Sequence, residues 1–583
     1  MVYCTLSIYF PVPIAKRFHP FPFRTRQLSS FAPKILRWSR RGKIGRRWVQ
    51  LFIKPLLDLR RGCCNKRSQL FNGRKYVMKI ITAAKENTGT LMLLVTTFVF
   101  SIILSLCLIF KGDDFIWRFV NNAELVDSYY TNPNGRYIGN FFTYITIYFP
   151  IIRYTFLPIV TMSTVYFSSK LTDNINSCIP LFILLFFAMP SGLFAMTINW
   201  LSAFSIYGGA FLFTIIYLNC LYKRYKCTER RNIISDVVLP IVVCVCGSLF
   251  VENTTVYLLI VTLFLTCYSM IRLKNLIVFS FSSLVGAIMG SCIMFSNYNY
   301  RDIVKGDDSG SKRTIHWSVI EIYQKIYKDI LPYFAKPYYL LHTLIVISFI
   351  IIYSKKIANK ECSNEKYIKL SLAISIVYTV YSIFTSCFAD FVALSWSQKN
   401  AAFEWSLTFI YIISIVYLTV RLLDGNRRIR VMAYLISLIL ITAPLCIVTP
   451  INYRCFYSVF TFWLLMAVEC FIAVYQEFPA GMSKLVSSFL NFAAITLMIC
   501  LSIVNITNKY YDILRADYIY TEFEKGNINL EIVKIPYTQY CVDVIATEFS
   551  DDRYEDYYFL YYGIKNRPDG YKYIMIDAID LDK

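Results

Sequence analysis

Windows of about 20 consecutive apolar residues recur through the middle of this chain, and no other feature narrows its fold so far. A bilayer core is about 30 Å thick and a helix rises about 1.5 Å per residue, so one such window is enough to cross. Inside that core each backbone N–H and C=O must be satisfied within the segment, which selects helices for windows of this length. About thirteen spans are expected, at 91–110, 138–167, 178–198, 202–222, 233–250, 255–271, 276–296, 338–354, 367–388, 405–423, 431–448, 455–475 and 485–506.

Composition excludes an ordinary soluble enzyme. Of 583 residues 56% are hydrophobic and 17% charged, against about 25% charge in a typical soluble domain. The expected fold class is an all-α polytopic membrane protein of about 13 transmembrane helices, amino terminus in and carboxyl terminus out, with a small α+β external carboxyl-terminal domain. Three parts are expected: a basic cytoplasmic extension over 1–88, a multi-span domain over 89–507 with external loops 111–137 and 297–337, and an acidic, tyrosine-rich external domain over 508–583.

Orientation follows from Lys and Arg, which stay on the cytoplasmic side of short loops. Loops holding Lys223 to Arg231, Arg272 and Lys274, Lys355 to Lys366, and Arg421 to Arg430 alternate with loops holding Asp113, Asp114, Asn199, Glu252, Asp390 and Arg454. The first set is expected inside and the second outside. Residues 1–77 carry 18 Lys and Arg against one acid, Asp58. That density suits anionic lipid headgroups or nucleic acid. Met78-Lys79-Ile80 reads as a better start, so this stretch is expected to be an upstream extension, with membrane lipids rather than nucleic acid as partner. Most of the 18 Cys lie in apolar windows as small hydrophobes, and neither they nor the three His show zinc-ligand spacing. No cofactor is expected, and a divalent metal held by carboxylates is left open.

The expected external face carries the chemistry. Asp113-Asp114 follows the first span directly, where adjacent acids are costly unless solvated, paired or used. Phe115 to Val126 has one apolar face, too short and polar to span, and is expected to lie along the membrane surface. Arg118 stands four residues after Asp114, at the spacing for an ion pair that keeps the carboxylate charged. Asn132-Pro133-Asn134-Gly135-Arg136 reads as a tight turn that opens the next span with a guanidinium able to grip phosphate. In 297–337, Gly306 to Gly310 reads as mobile and Val319 to Leu331 as an interfacial helix. Glu252, Lys399, Glu404 and Arg454 add charges of both signs, while the span interiors hold only Arg153 and Glu469. Singly, each is a helix-end anchor; together they place acids and phosphate-binding cations on one side. In the tail, Leu530 to Val533 and Tyr573 to Ile576 read as strands, with a turn at Pro568-Asp569-Gly570.

Asp113-Asp114 in the first external loop, the surface helix after it, Asn134-Gly135-Arg136 before the second span, and a many-span body with an external tail resemble the integral-membrane glycosyltransferases of the GT-C superfamily, near the bacterial O-antigen glucosyltransferase families. The resemblance covers about residues 85–510 in architecture. It implies transfer of a sugar from a polyprenyl-phosphate donor to a glycan or lipid acceptor outside the cell membrane, with inversion. Carried over, Asp113 or Asp114 is the general base. Arg136, helped by Arg454 or Lys399, stabilises the departing phosphate, and Arg118, Glu252 and Glu404 complete the expected binding set. A lipid-linked glycan flippase or other transporter, sensitive at Arg153 or Glu469, is the alternative, and a non-catalytic membrane protein a further one.

Overall fold

A computed structural model describes residues 73–119, 134–172, 175–226, 232–300, 314–315, 318–360, 364–387, 401–548, 552–565, 567–568 and 570–576. The expected turn residues Asn132 and Pro133, the Gly306–Gly310 stretch, Asp390 and Lys399 lie outside them. The chain divides into two units, Met1–Lys85 and Glu86–Lys583. Only 73–85 of the first are described, and the bundle and its tail belong to the second.

The protein is a mostly helical, multi-pass membrane protein. Among the described residues ten helices are long and apolar enough to cross a bilayer, and they match ten of the thirteen expected windows. The other three windows are broken, for reasons that hydropathy does not register. The window 138–167 becomes α3 (Tyr137–Tyr148) and α4 (Pro150–Leu171), divided at Phe149-Pro150. Proline lacks an N–H and pushes the preceding residue out of the helical region. Likewise 178–198 becomes α5 (Ile175–Phe187) and α6 (Ser191–Met196), divided before Pro190. The window 233–250 opens with a π turn over Ile234–Val238, ahead of Pro240, and is shorter than a full span.

The order begins with α1 (Gly73–Leu106) and the short α2 (Asp113–Phe119). After α6 come α7 (Leu201–Lys226), α8 (Ile234–Ser248), α9 (Glu252–Ile271) and α10 (Ile277–Phe295). Then come α11 (Val319–Lys325), α12 (Tyr339–Ala358), α13 (Glu365–Cys387), α14 (Ala401–Leu422), α15 (Gly425–Thr442), α16 (Tyr457–Tyr475) and α17 (Ala480–Glu524). Two short strands, β1 (Thr314–Ile315) before α11 and β2 (Val448–Thr449) before α16, pair antiparallel. The apolar window of α16 is 89% buried and that of α7 72%, whereas α9 and α17 bury 39% and 33%. A helix apolar all round belongs at the centre of a bundle; α16 is that centre. The outer helices turn residues such as Phe264, Ile271 and Phe489 outward, where lipid replaces protein. Gly286 and Gly290, one turn apart, let α10 and α8 touch closely: a Cβ at Gly286 would lie 2.6 Å from the Ile241 carbonyl oxygen, and one at Gly290 2.6 Å from Ser248 Cβ.

The tail is no separate bead on a linker. α17 runs 45 residues, straight through the boundary expected at 507/508. Both expected strands form, β3 (Asn529–Val533) and β4 (Lys572–Ile576), and they pair in parallel. They flank α18 (Val544–Glu548) and α19 (Asp552–Tyr562). Tyr558 and Tyr561 of α19 pack edge-on against Phe115, and Tyr557 stacks on Phe119, so the tail lies on α2. Arg515 of α17 binds Asp512 at 2.8 Å and Asp543 at 2.6 Å, all three buried, which fastens the segment after β3 to the long helix.

Candidate functional site

Local backbone rules bring Arg136 and Glu252 together. Asn134 accepts from the Arg136 amide at 3.1 Å and from Asn140 Nδ2 at 3.0 Å, which organises the start of α3. The first N–H groups of a helix have no intrahelical partner. Those of Ile138 and Gly139 donate to the Leu249 carbonyl at 3.1 and 3.3 Å, drawing in the bend that precedes α9. Gly135 passes so close to the end of α10 that a Cβ would fall 2.0 Å from the Met294 carbonyl oxygen. Glu252 opens α9 in this corner and takes the Arg136 guanidinium in a fork, Nε at 3.0 Å and Nη2 at 2.7 Å to Oε2. Tyr300 donates its hydroxyl to Glu252 Oε1 at 2.6 Å and accepts from the Gly135 amide at 3.3 Å. Burial works against the charge on Arg136, and Glu252 overrides it, raising its pKa above the ordinary arginine value.

The two adjacent acids separate in role. Both sit in the first turn of α2, where the helix dipole favours negative charge. Asp113 remains 47% exposed and lies 3.6 Å from Arg454. Asp114 turns inward to full burial and accepts the Ser202 amide at 2.8 Å on Oδ1, while its Oδ2 has no hydrogen-bond partner among the described residues. Burial pushes its pKa up to about 7, against the opposing pull of Ser202 and Lys111. The ion pair expected between Asp114 and Arg118 does not form. Asp114 is on the buried side of α2, and the Arg118 guanidinium instead lies 5.4 Å over the Tyr148 ring. With no arginine partner there to oppose it, burial holds the carboxyl's pKa well above the ordinary carboxylate value.

Trp200 gathers the cations opposite these acids. Arg454 lies 4.7 Å above its ring, and Lys111, fully buried, 5.8 Å from it. The Arg454 guanidinium makes no hydrogen bond among the described residues. Lys111 reaches the Ala195 carbonyl at 3.4 Å and Cys541 Sγ at 3.6 Å, so Cys541 of the tail is a buried partner of this cluster. Tyr207 is within electrostatic reach of both Arg136 and Arg454, and the two arginines of each other. Asp113, Arg136, Glu252 and Arg454 therefore converge at one end of the bundle.

Other expected site residues lie apart. Glu404 is buried and pairs with Lys336 at 2.8 Å and the Tyr381 hydroxyl at 2.9 Å. Lys399 is outside the described residues. Glu469 is bound by Arg430 at 2.6 and 2.9 Å, which accounts for an acid inside an apolar window. Asn253, next to Glu252 at the start of α9, is buried. Among the described residues no group of three or more His, Cys, Asp or Glu is placed to hold a metal ion. Lys111, Trp200, Ser202, Tyr207 and Tyr300 escaped the sequence reading. A lysine and a tryptophan at the ends of apolar windows look like ordinary interfacial anchors.

Comparison with known proteins finds no family model, no curated protein and no solved structure that matches the chain.

Proposed function

We propose that the chain is a membrane glycosyltransferase that moves a sugar from a polyprenyl-phosphate donor to a glycan or lipid acceptor, with Asp113 as general base. The observation that carries this reading is the exposed Asp113 carboxylate beside an arginine that makes no hydrogen bond of its own among the described residues. A base must reach a substrate hydroxyl, and Asp113 is accessible where Asp114 is not. Asp113 takes the proton, the hydroxyl oxygen bonds to the anomeric carbon from the opposite face, and the carbon–oxygen bond to the lipid phosphate breaks with its electrons on the phosphate. Configuration inverts. Arg454 is the better partner for that departing phosphate, because Glu252 already occupies two nitrogens of Arg136. Arg136 and Glu252 act as the brace that sets the cluster's geometry, and Asp114 seats α2 on Ser202.

The finer topology belongs to the same proposal: thirteen crossings, with the three broken segments each completing one, the amino terminus inside and the cluster facing outward at the cell membrane. Reconstituted full-length protein supplied with polyprenyl-phosphate-linked sugars tests it. Asp113→Asn should lower transfer about 10²–10⁴-fold with membrane insertion unchanged. Undiminished transfer by that variant, or labelling that puts residues 113 and 136 on opposite sides of the membrane, removes the reading.

A further inference from the structure

Beside the acid–arginine cluster lies a cavity of about 350 Å³, at the small end of the about 300–1,000 Å³ typical of ligand sites. It is bounded by α6, by residues 451–453 and by residues 538–542 from the carboxyl-terminal segment, and among the described residues no charged side chain lines it. Tyr333 and Tyr453 line one wall and pack together with ring centroids 4.6 Å apart. Asn452, Thr538 and Gln539 add neutral donors and acceptors. A Cβ at Gly192 would rest against the Tyr453 ring at 3.4 Å, an ordinary contact, so a branched side chain at this position would extend into the space.

This lining selects by chemistry. A phosphate or carboxylate would meet no cation in it, and an acyl chain would bury the amides without partners. A sugar ring offers apolar C–H faces to the tyrosines and hydroxyls to the amides and Thr538. The cavity adjoins the cluster through its lining residues. Tyr453 is joined to Arg454, and the carbonyl of Ala195, another lining residue, takes the Lys111 ammonium at 3.4 Å.

We propose that this cavity binds a neutral saccharide, the acceptor of the transfer reaction, and that Thr538 and Gln539 of the carboxyl-terminal segment complete it. The inference rests on the transferase reading for the word acceptor only; saccharide binding is claimed independently of it. It gives the tail a role in substrate choice.

The test uses full-length protein in detergent, titrated with free neutral di- and trisaccharides of gluco, galacto, manno and N-acetylgluco configuration and read by saturation-transfer NMR. At least one should bind, and Gln539→Ala and Gly192→Val should each weaken it about tenfold. Thr538→Val, a near-isosteric change, does the same if the larger substitutions unfold the protein, which their melting curves report. No saccharide bound to the wild type, or binding equal in all variants, overturns the proposal. If the lining variants lose saccharide while the wild-type protein transfers no sugar from polyprenyl-phosphate donors, the cavity stands and the transferase reading falls. If Asp113→Asn abolishes transfer and the lining variants bind normally, the reverse holds.

Discussion

Replacing Asp114 by Asn alters a carboxyl that is fully buried and half unpaired, and the consequence is worked out from its surroundings. Its folded pKa stands at about 7 against an ordinary 3.8, chiefly through burial. Between those values the folded protein holds a proton that the unfolded chain has released. Stability from this source is therefore fully present below 3.8, declines as pH rises through the window, and is lost above about 7. At about 1.36 kcal/mol per pH unit the whole effect is about 4 kcal/mol. Asn keeps an oxygen for the Ser202 amide and does not titrate. Whatever fixed cost its amide carries adds a constant offset and leaves the slope untouched. Melting of detergent-solubilised wild type and Asp114→Asn, followed from pH 4 to 8.5, should show their difference shift in favour of the variant by about 4 kcal/mol, on the order of 5 °C for a protein this size. Parallel curves for the two proteins would refute the assignment of a buried, proton-holding carboxyl.

Three further substitutions test the ion pairs. Arg136→Ala leaves Glu252 in its corner without its fork and should cost about 3 kcal/mol in thermal unfolding, with Arg136→Lys restoring less than half, because an ammonium cannot bind both oxygens as a guanidinium does. Arg430→Ala leaves Glu469, which is 1% exposed, with the longer 3.7 Å contact to Arg427 in place of its two short hydrogen bonds, and should cost about 3 kcal/mol. The double change Arg430→Met with Glu469→Leu should recover most of that; a double variant no more stable than the single one contradicts a purely structural pair. Arg515→Ala removes the tie between Asp512 and Asp543, and limited proteolysis should then cut within 525–576 at least tenfold faster, a rate unchanged from wild type counting against the docked tail.

Much of the architecture is legible in residue order because it depends on local pattern. Ten apolar windows correspond to ten long helices, a short helix over Asp113–Phe119 overlaps the start of the expected Phe115–Val126 helix, and the two tail strands lie where short apolar runs were expected as strands. The misread places are those where pattern and backbone chemistry disagree. Pro150 and Pro190 interrupt windows whose average hydropathy is unaffected by them. The Asp114–Arg118 pair had the right spacing, but spacing along a short helix does not say which side is buried, and α19 covers the side that carries Phe115.

The residue types alone determined that this chain crosses a membrane many times and that its charges collect at helix ends, since the cost of burying backbone and charge in hydrocarbon acts on every segment separately. Which charges meet was decided only by tertiary packing. Arg136 finds Glu252 across 116 positions because helix-end amides capture the Leu249 carbonyl, and Lys111 finds Cys541 across 430 because the tail folds back on α2. Contacts between distant residues depend on how whole helices stack, and no window of neighbouring side chains contains that information.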